Sequence, residues 1–221
     1  MKRALFFPTK VLGISLSLFF AFALLFLCYS CQSEGWGGNS NEGQSNLNPS
    51  EYVNEEFRWR IIKPQNSKFE DMKKSLRDIN EGKELLEEEN AGAITTDKSE
   101  LLVTIRRSEL GKIQVSKINH NEDLSLTWDD YLNTYRDFVY KNYSQLGFTV
   151  DSSSQLSQID SVYFNTLTFA LVEPQSGVKM THHIYKKYYP EKKAEFVINV
   201  TYDHGQDKYL LLRALGQSEF Y

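Results

Sequence analysis

Three β-rich stretches follow one another near the end of the chain, with only turn-length connections between them. They run from Ser161 to Glu173, from Val178 to Tyr188 and from Glu195 to Tyr202. Pro and Gly in the first connection, 174–177, predict a turn, and Pro in 189–193 predicts another. Connections this short leave no room for a crossover, so the three stretches are predicted to pair as an antiparallel meander.

The strongest helical pattern precedes the meander. Thr127 is a suitable N-cap, Asp130 stands where a capping box places an acid, and Gly147 suits the position after the last turn. Apolar side chains recur at helical spacing between them and predict a stripe that faces the core: Trp128, Tyr131, Leu132, Tyr135, Phe138, Val139 and Leu146. A polar loop is predicted from Asp151 to Gln158.

Two further stretches have the alternation and β-branched content of strands. They are Leu101 to Arg107 and Lys112 to Ile118, and residues 108–111 are short enough to join them as a hairpin. Phe57 to Ile62 alternates bulky and polar residues before a proline and predicts a first strand.

Two more helices complete the predicted order of elements. Helical spacing of apolar residues predicts one from Phe69 to about Glu89, and another runs from Gln206 to Leu215 with Asp203 as its candidate cap. Phe220 and Tyr221 are expected to pack back onto the sheet. Hairpins dominate this order, so we expect an α+β domain: a mostly antiparallel β-sheet with helices packed on its faces, as an α/β/α-type sandwich.

The N-terminal residues predict where the protein works. Met1 to Lys10 is basic, and Val11 to Leu27 is almost wholly apolar. The small residues Cys28, Ser30 and Cys31 follow, with Tyr29 among them. A basic start, an apolar centre and a small-residue end are typical of a secretion signal.

This leader resembles a bacterial lipoprotein signal, in which cleavage before Cys31 leaves that cysteine lipidated at the start of the mature chain. The resemblance implies attachment to the membrane through an N-terminal lipid and a location in the cell envelope. Gln32 follows the cysteine where Asp would signal inner-membrane retention, so the outer membrane, on its periplasmic or surface face, is the expected destination. Two alternatives remain: Val11 to Ser30 is retained as a membrane-spanning helix, or the leader is removed without lipidation.

The predicted organisation therefore has three parts. Residues 1–30 form the signal peptide, residues 31–50 form a flexible tether rich in Gly, Ser and Asn, and residues 51–221 form a single α+β domain.

Charge excludes one class of partner. Residues 31–221 carry 22 basic and 29 acidic residues, a net charge of −7. Nucleic-acid binding needs a clustered positive surface, so no nucleic-acid partner is expected. The only cysteines are Cys28 and Cys31, so no disulfide is expected within the domain.

The block from Leu101 to Phe220 resembles the Mog1/PsbP-like superfamily. The segments that carry the resemblance are LLVTIRR, KIQVSKI, TWDDYLNTYRDF, TLTFALV, THHIYKKYY and AEFVINVTYDHGQDKYLLLRALGQSEF. The resemblance implies a compact sheet with helices on both sides, used mostly as a protein-binding or assembly-assisting module. It supplies no set of active-site residues.

Motifs for catalysis and cofactor binding are missing from the sequence. It contains no G-x-S-x-G and no glycine-rich phosphate loop, so we predict a non-catalytic protein without a cofactor. His182 and His183 are adjacent on a predicted strand and point to opposite faces, so no metal site is predicted. We expect one of them to be buried and hydrogen-bonded, and the other exposed.

A basic and aromatic patch lies at the end of the second meander strand. Its residues are Tyr185, Lys186, Lys187, Tyr188, Tyr189, Lys192 and Lys193. Tyrosine and lysine together offer stacking and charge, which suits an acidic partner or a polysaccharide. The alternative is a solvated turn flanked by packed tyrosines.

These observations favour a lipid-anchored, non-catalytic cell-envelope protein that binds another envelope protein. Two hypotheses from other classes stay open at this point. One is an envelope hydrolase whose acidic site has no recognisable motif, and the other is a binder of a small apolar ligand between sheet and helix.

Overall fold

The structure is a computed structural model that describes residues 50–77, 99–120 and 127–221. All of them belong to one unit, which runs from Asn46 to Tyr221. The predicted signal peptide and nearly all of the predicted tether lie outside the described residues, so that division of the chain stays a prediction. No helix within the described ranges is long and apolar enough to cross a bilayer.

In the described parts of the chain, ten strands form two sheets and are accompanied by two long helices. The strands are β1 (Glu51–Asn54), β2 (Trp59–Ile62), β3 (Lys68–Phe69), β4 (Ser99–Arg106), β5 (Lys112–Asn119), β6 (Thr149–Ile159), β7 (Val162–Val172), β8 (Lys179–Tyr189), β9 (Ala194–Tyr202) and β10 (Glu219–Phe220). The helices are α1 (Trp128–Gln145) and α2 (Gly205–Gly216), and residues 72–77 are also helical.

The large sheet has seven strands in the order β3-β4-β5-β9-β8-β7-β6, and every pair in it is antiparallel. The small sheet has the order β1-β2-β10. The predicted α+β class and mostly antiparallel sheet are therefore confirmed. The meander is confirmed as β7-β8-β9, and the predicted hairpin is β4-β5.

The two faces of the large sheet have different covers. The face that we call the small-sheet face packs against the small sheet and α2, and Trp59, Phe196 and Leu211 are among its fully buried side chains. The face that we call the helix face packs against Tyr135 and Val139 of α1. A second sheet thus shares one face with a helix, which adds to the predicted arrangement.

The predicted cap of α1 is confirmed. Thr127 Oγ1 accepts a hydrogen bond from Asp130 N at 3.2 Å, and its hydroxyl donates to Asp130 Oδ2 at 2.6 Å. The helix ends at Gln145, and Gly147 follows with the positive φ of 85° that the sequence led us to expect there.

Three local predictions are wrong. Residues 151–158 are not a loop but the greater part of β6, because their polar side chains lie on an exposed edge strand that pairs with β7 along its full length. Phe69 does not begin the predicted helix, since it lies in β3 and pairs with Ile105 of β4; residues 72–77 are helical, and the remainder of that prediction lies outside the described residues. His204, not Asp203, caps α2, and it makes no side-chain capping bond.

Candidate functional site

Strand alternation divides the predicted patch between the two faces of the large sheet. Tyr185 belongs to the small-sheet face and is buried, whereas Lys186 points to the helix face and is fully buried. Lys187, Tyr188 and Tyr189 are half-buried. Of the seven predicted residues, only Lys192 and Lys193 are exposed, and both follow β8 in the turn before β9. That this patch binds a partner stays a prediction.

Lys186 forms a buried ion pair with Glu195. Both side chains have 0% exposure, and Lys186 Nζ lies 2.8 Å from Glu195 Oε2. The register of β8 and β9 creates the pair: Tyr188 is opposite Glu195 and Lys186 is opposite Val197, so the two charges are diagonal neighbours on one face. Each charge is buried only because the other lies beside it.

Helix α1 covers this pair with two tyrosines. Lys186 Nζ donates to Tyr131 Oη at 3.1 Å and lies 3.7 Å from the centre of the Tyr135 ring. Burial lowers the pKa of Lys186, while the Glu195 carboxylate opposes that shift. Burial and the same carboxylate raise the pKa of Tyr131, and they raise the pKa of Tyr135 to about 12. Both phenols therefore stay neutral over the physiological range.

His120 extends the pair towards solvent. Its Nε2 lies 2.6 Å from Glu195 Oε1, and 16% of its side chain is exposed. Rings surround the imidazole edge-on: the Tyr131 centroid lies 6.1 Å away and the Tyr188 centroid 5.7 Å away. Trp128 stacks on both tyrosines, with ring centroids at 5.3 and 5.8 Å. The result is an aromatic enclosure with the His120 imidazole at its rim.

Lys186, Glu195 and His120 together form what we call the charged cluster. The ammonium is occupied by a carboxylate, a phenol and a ring face, and the carboxylate bridges lysine and histidine. Such an arrangement positions the end of β8 and the start of β9 relative to α1. His120 and Glu195 were not among the site residues predicted from the sequence. The available signal was Glu195 itself, an acid near the start of β9 whose neighbours from Ala194 to Ile198 are apolar.

The paired histidines point to opposite faces, as predicted, but neither is exposed. His182 contacts Tyr143 Oη at 2.7 Å and Asn199 Oδ1 at 3.0 Å, while His183 contacts Thr168 Oγ1 and Tyr202 Oη, both at 2.8 Å. Burial lowers the pKa of His182 to about 4. Burial also lowers the pKa of His183. The expectation of one exposed histidine is therefore wrong, because α1 covers one ring and the Tyr202 hydroxyl binds the other.

One group of side chains has the donor atoms of a metal site, although none was predicted. Asp203, His204 and Asp207 place ligand atoms within 4.8 Å of one another. The buried Asp207 carboxylate is already bound by Arg107 Nε at 2.5 Å and by Ser108 Oγ at 2.5 Å. Gly111 allows that approach, since a Cβ there would lie 2.0 Å from Asp207 Oδ2. The Asp207 carboxylate thus links α2 to the β4-β5 hairpin through hydrogen bonds.

A shallow groove separates the start of α1 from β6 and β7. Leu132 and Leu167 are its apolar residues, and the rest of its lining is polar: Asp129, Asn133, Ser154, Gln155, Asn165 and Thr166. An apolar ligand favours an apolar lining with few polar groups, which this groove does not have.

In comparisons with known proteins, only solved structures were similar to this chain. No protein-family model matches the chain, and no curated protein matches it. The solution structure of the cyanobacterial PsbP protein CyanoP from Synechocystis sp. PCC 6803 is 11% identical, with a TM-score of 0.45, covering 83% of this chain and 98% of that one. The crystal structure of the Ran-binding protein Mog1p from Saccharomyces cerevisiae is 11% identical, with a TM-score of 0.42, covering 79% and 96%. The chain is similar to both in the arrangement of its elements.

Proposed function

We propose that this protein is a lipid-anchored, non-catalytic component of the bacterial cell envelope whose folded domain binds another envelope protein. The leader ending at Cys31 supports the anchor, and Gln32 supports the outer membrane as the destination. The Gly-, Ser- and Asn-rich residues between Cys31 and β1 provide the length that a domain needs to stand off a membrane.

The observation that carries the binding proposal is the turn between β8 and β9. Lys192 and Lys193 are exposed on it, in a chain whose residues 31–221 carry a net charge of −7. The turn is held in place: His120 N donates to Lys193 O at 2.8 Å, and Tyr189 packs edge-on against Phe57 at 5.3 Å. A basic surface that is fixed before binding loses little entropy on contact, so it suits an acidic partner surface.

Acylation of Cys31 is the first test. The variant Cys31→Ser should lose labelling by a clickable fatty acid and should keep its leader, because the resemblance makes Cys31 both the lipidated residue and the residue at the cleavage site. Cys28→Ser is the matched control and should be labelled and cleaved like the wild type. The measurements are metabolic labelling and the mass of the mature N-terminus.

Two results would contradict the anchor. One is equal labelling of the wild type and Cys31→Ser. The other is an intact Met1 in the mature wild type, which would favour a retained helix instead.

Partner binding is tested by cross-linking in intact cells, followed by purification from the solubilised envelope. Lys192→Glu combined with Lys193→Glu should remove the main cross-linked species of the wild type. Lys179→Glu combined with Lys208→Glu is the control, because it makes the same charge change at two other exposed lysines. A species that survives both pairs would place the contact elsewhere, and no reproducible species in the wild type would overturn the binding proposal.

A further inference from the structure

The two edges of the large sheet are built differently. At one edge, β3 has only two residues. At the other, β6 has eleven residues and pairs with β7 at every one of them, from Thr149 opposite Val172 to Ile159 opposite Val162. Among the described residues, β6 pairs on that side alone. It therefore presents a long ladder edge.

This edge lacks the features that usually protect an edge strand from pairing with another chain. Such strands are commonly short, bulged, or interrupted by Lys or Pro. β6 has the sequence TVDSSSQLSQI, with Asp151 as its one charge, and its register with β7 is continuous. Most of its residues are exposed, and Leu156 is 64% exposed.

The hairpin geometry fixes which backbone groups face outward. β6 and β7 are joined by the two residues Asp160 and Ser161, and a two-residue loop makes Ile159 and Val162 a hydrogen-bonded pair. The odd-numbered residues of β6 consequently bond to β7. The even-numbered residues from Val150 to Gln158 direct their N–H and C=O groups away from the sheet.

We propose that this edge pairs with β6 of a second copy of the chain, antiparallel about a two-fold axis at Ser154. In that register all eleven residues of each strand are paired. Asp151 lies opposite Ser157 of the second copy, so no like charges face each other. Leu156 lies opposite Ser152 and diagonally beside Val150 of the second copy, which covers an exposed apolar side chain. A self-complementary strand suits the two-fold contact that most homodimers use.

The molecular mass of the full chain in detergent, measured by sedimentation with the bound detergent subtracted, tests the proposal. The wild type should sediment as two copies. Ser154→Lys places two like charges on the axis and should sediment as one copy, with the circular dichroism spectrum unchanged. Gln206→Lys makes the same charge change at an exposed position of α2 and should stay at two copies.

Cross-linking tests the register. In a full chain with Cys28 and Cys31 replaced by Ser, Ser154→Cys should form a covalent dimer with a short bifunctional maleimide. Thr149→Cys should not, because its two copies lie ten residues apart along the strand, roughly 33 Å. A single-copy wild type, a two-copy Ser154→Lys, an open series of larger species, or equal cross-linking of both cysteine variants would each overturn the proposal.

Discussion

Other elements cover both faces of the large sheet, but the interactions that attach those elements differ between the two faces. On the small-sheet face, most contacts are apolar: side chains from both sheets and α2 interlock, and Trp59 lies 5.4 Å from Phe196 edge-on. The Arg107–Asp207 pair adds one polar link at the start of α2. On the helix face, the apolar cluster is smaller, and polar side chains join α1 to the sheet beside it: Lys186 with Tyr131, and His182 with Tyr143.

This difference determines how substitutions and pH should change the stability that each face contributes. An apolar face loses stability in proportion to the volume removed and the cavity left behind, whatever the pH. A face joined by buried charges and imidazoles depends on every partner being present and in one protonation state, because an unpaired buried charge is costly. Four measurements of unfolding free energy test this contrast, beginning with the largest expected effect.

Removal of one charge from the helix face should have the largest effect. Lys186→Met leaves the Glu195 carboxylate buried without its cation and should lower the unfolding free energy by about 3–5 kcal/mol. Replacing both charges, as in Lys186→Met with Glu195→Leu, should recover most of that loss. Urea unfolding at pH 7 measures both variants.

Lys187→Met is the matched control, one residue along the same strand, and should change stability little because its side chain is half-buried. A double variant as unstable as Lys186→Met would show that the pair itself is not the cause.

Removal of volume from the small-sheet face should have the next largest effect. Leu211→Ala, at a side chain with 0% exposure, should cost about 2–5 kcal/mol. The same loss should appear at pH 5 and pH 7.5, since no titrating partner is involved. Leu210→Ala, at the half-buried neighbour, should cost clearly less. Equal losses at the two positions would mean that α2 packs differently.

Acid should weaken the helix face through His182. Its pKa in the folded protein, about 4, lies below the ordinary value of 6.5, so the unfolded chain binds the proton first as the pH falls. The contribution of neutral His182 to the unfolding free energy amounts to about 3 kcal/mol. It is complete above pH 6.5 and falls as the pH drops towards 4. His182→Gln should flatten the difference in unfolding free energy between pH 7.5 and pH 4.5. If the wild type and the variant fall in parallel, His182 is not the group that titrates.

Loss of the α1 cap should have the smallest effect. Thr127→Ala removes the bond to Asp130 N and should cost about 1 kcal/mol. Thr134→Ala, at an exposed position of the same helix, should change the unfolding free energy by a few tenths of that value. A larger loss at Thr134 than at Thr127 would contradict the role of the cap.

The sequence predicts those parts of the fold that repeat with a period. The β7-β8-β9 meander and the cap of α1 follow from local patterns, because side-chain alternation and capping chemistry act over a few residues. β6 was not predicted, because most of its side chains are polar and exposed, and so they do not alternate between apolar and polar as those of a half-buried strand do. β1 is short and gives a weak strand pattern, and β10 pairs with β2 from residues far away in the chain.

The charged cluster could not be predicted for a different reason. Lysine and glutamate are expected at the surface, and only the register of β8 against β9 brings Lys186 beside Glu195. His120 joins them from the end of β5, 75 residues earlier in the chain than Glu195. The patch predicted from sequence therefore contained one member of the cluster, and assigned it to the surface.

The small sheet has a mechanical consequence. β1 and β10 both lie antiparallel to β2, on either side of it, so they run in the same direction. Traction between the residues before Glu51 and the C-terminal Tyr221 pulls these two strands lengthwise in opposite directions. The bonds of both ladders are then loaded in shear and must break together, along with the hydrogen bond from Trp59 Nε1 to Ser218 Oγ at 3.1 Å. The small sheet therefore resists a force that pulls β1 and β10 apart along their length.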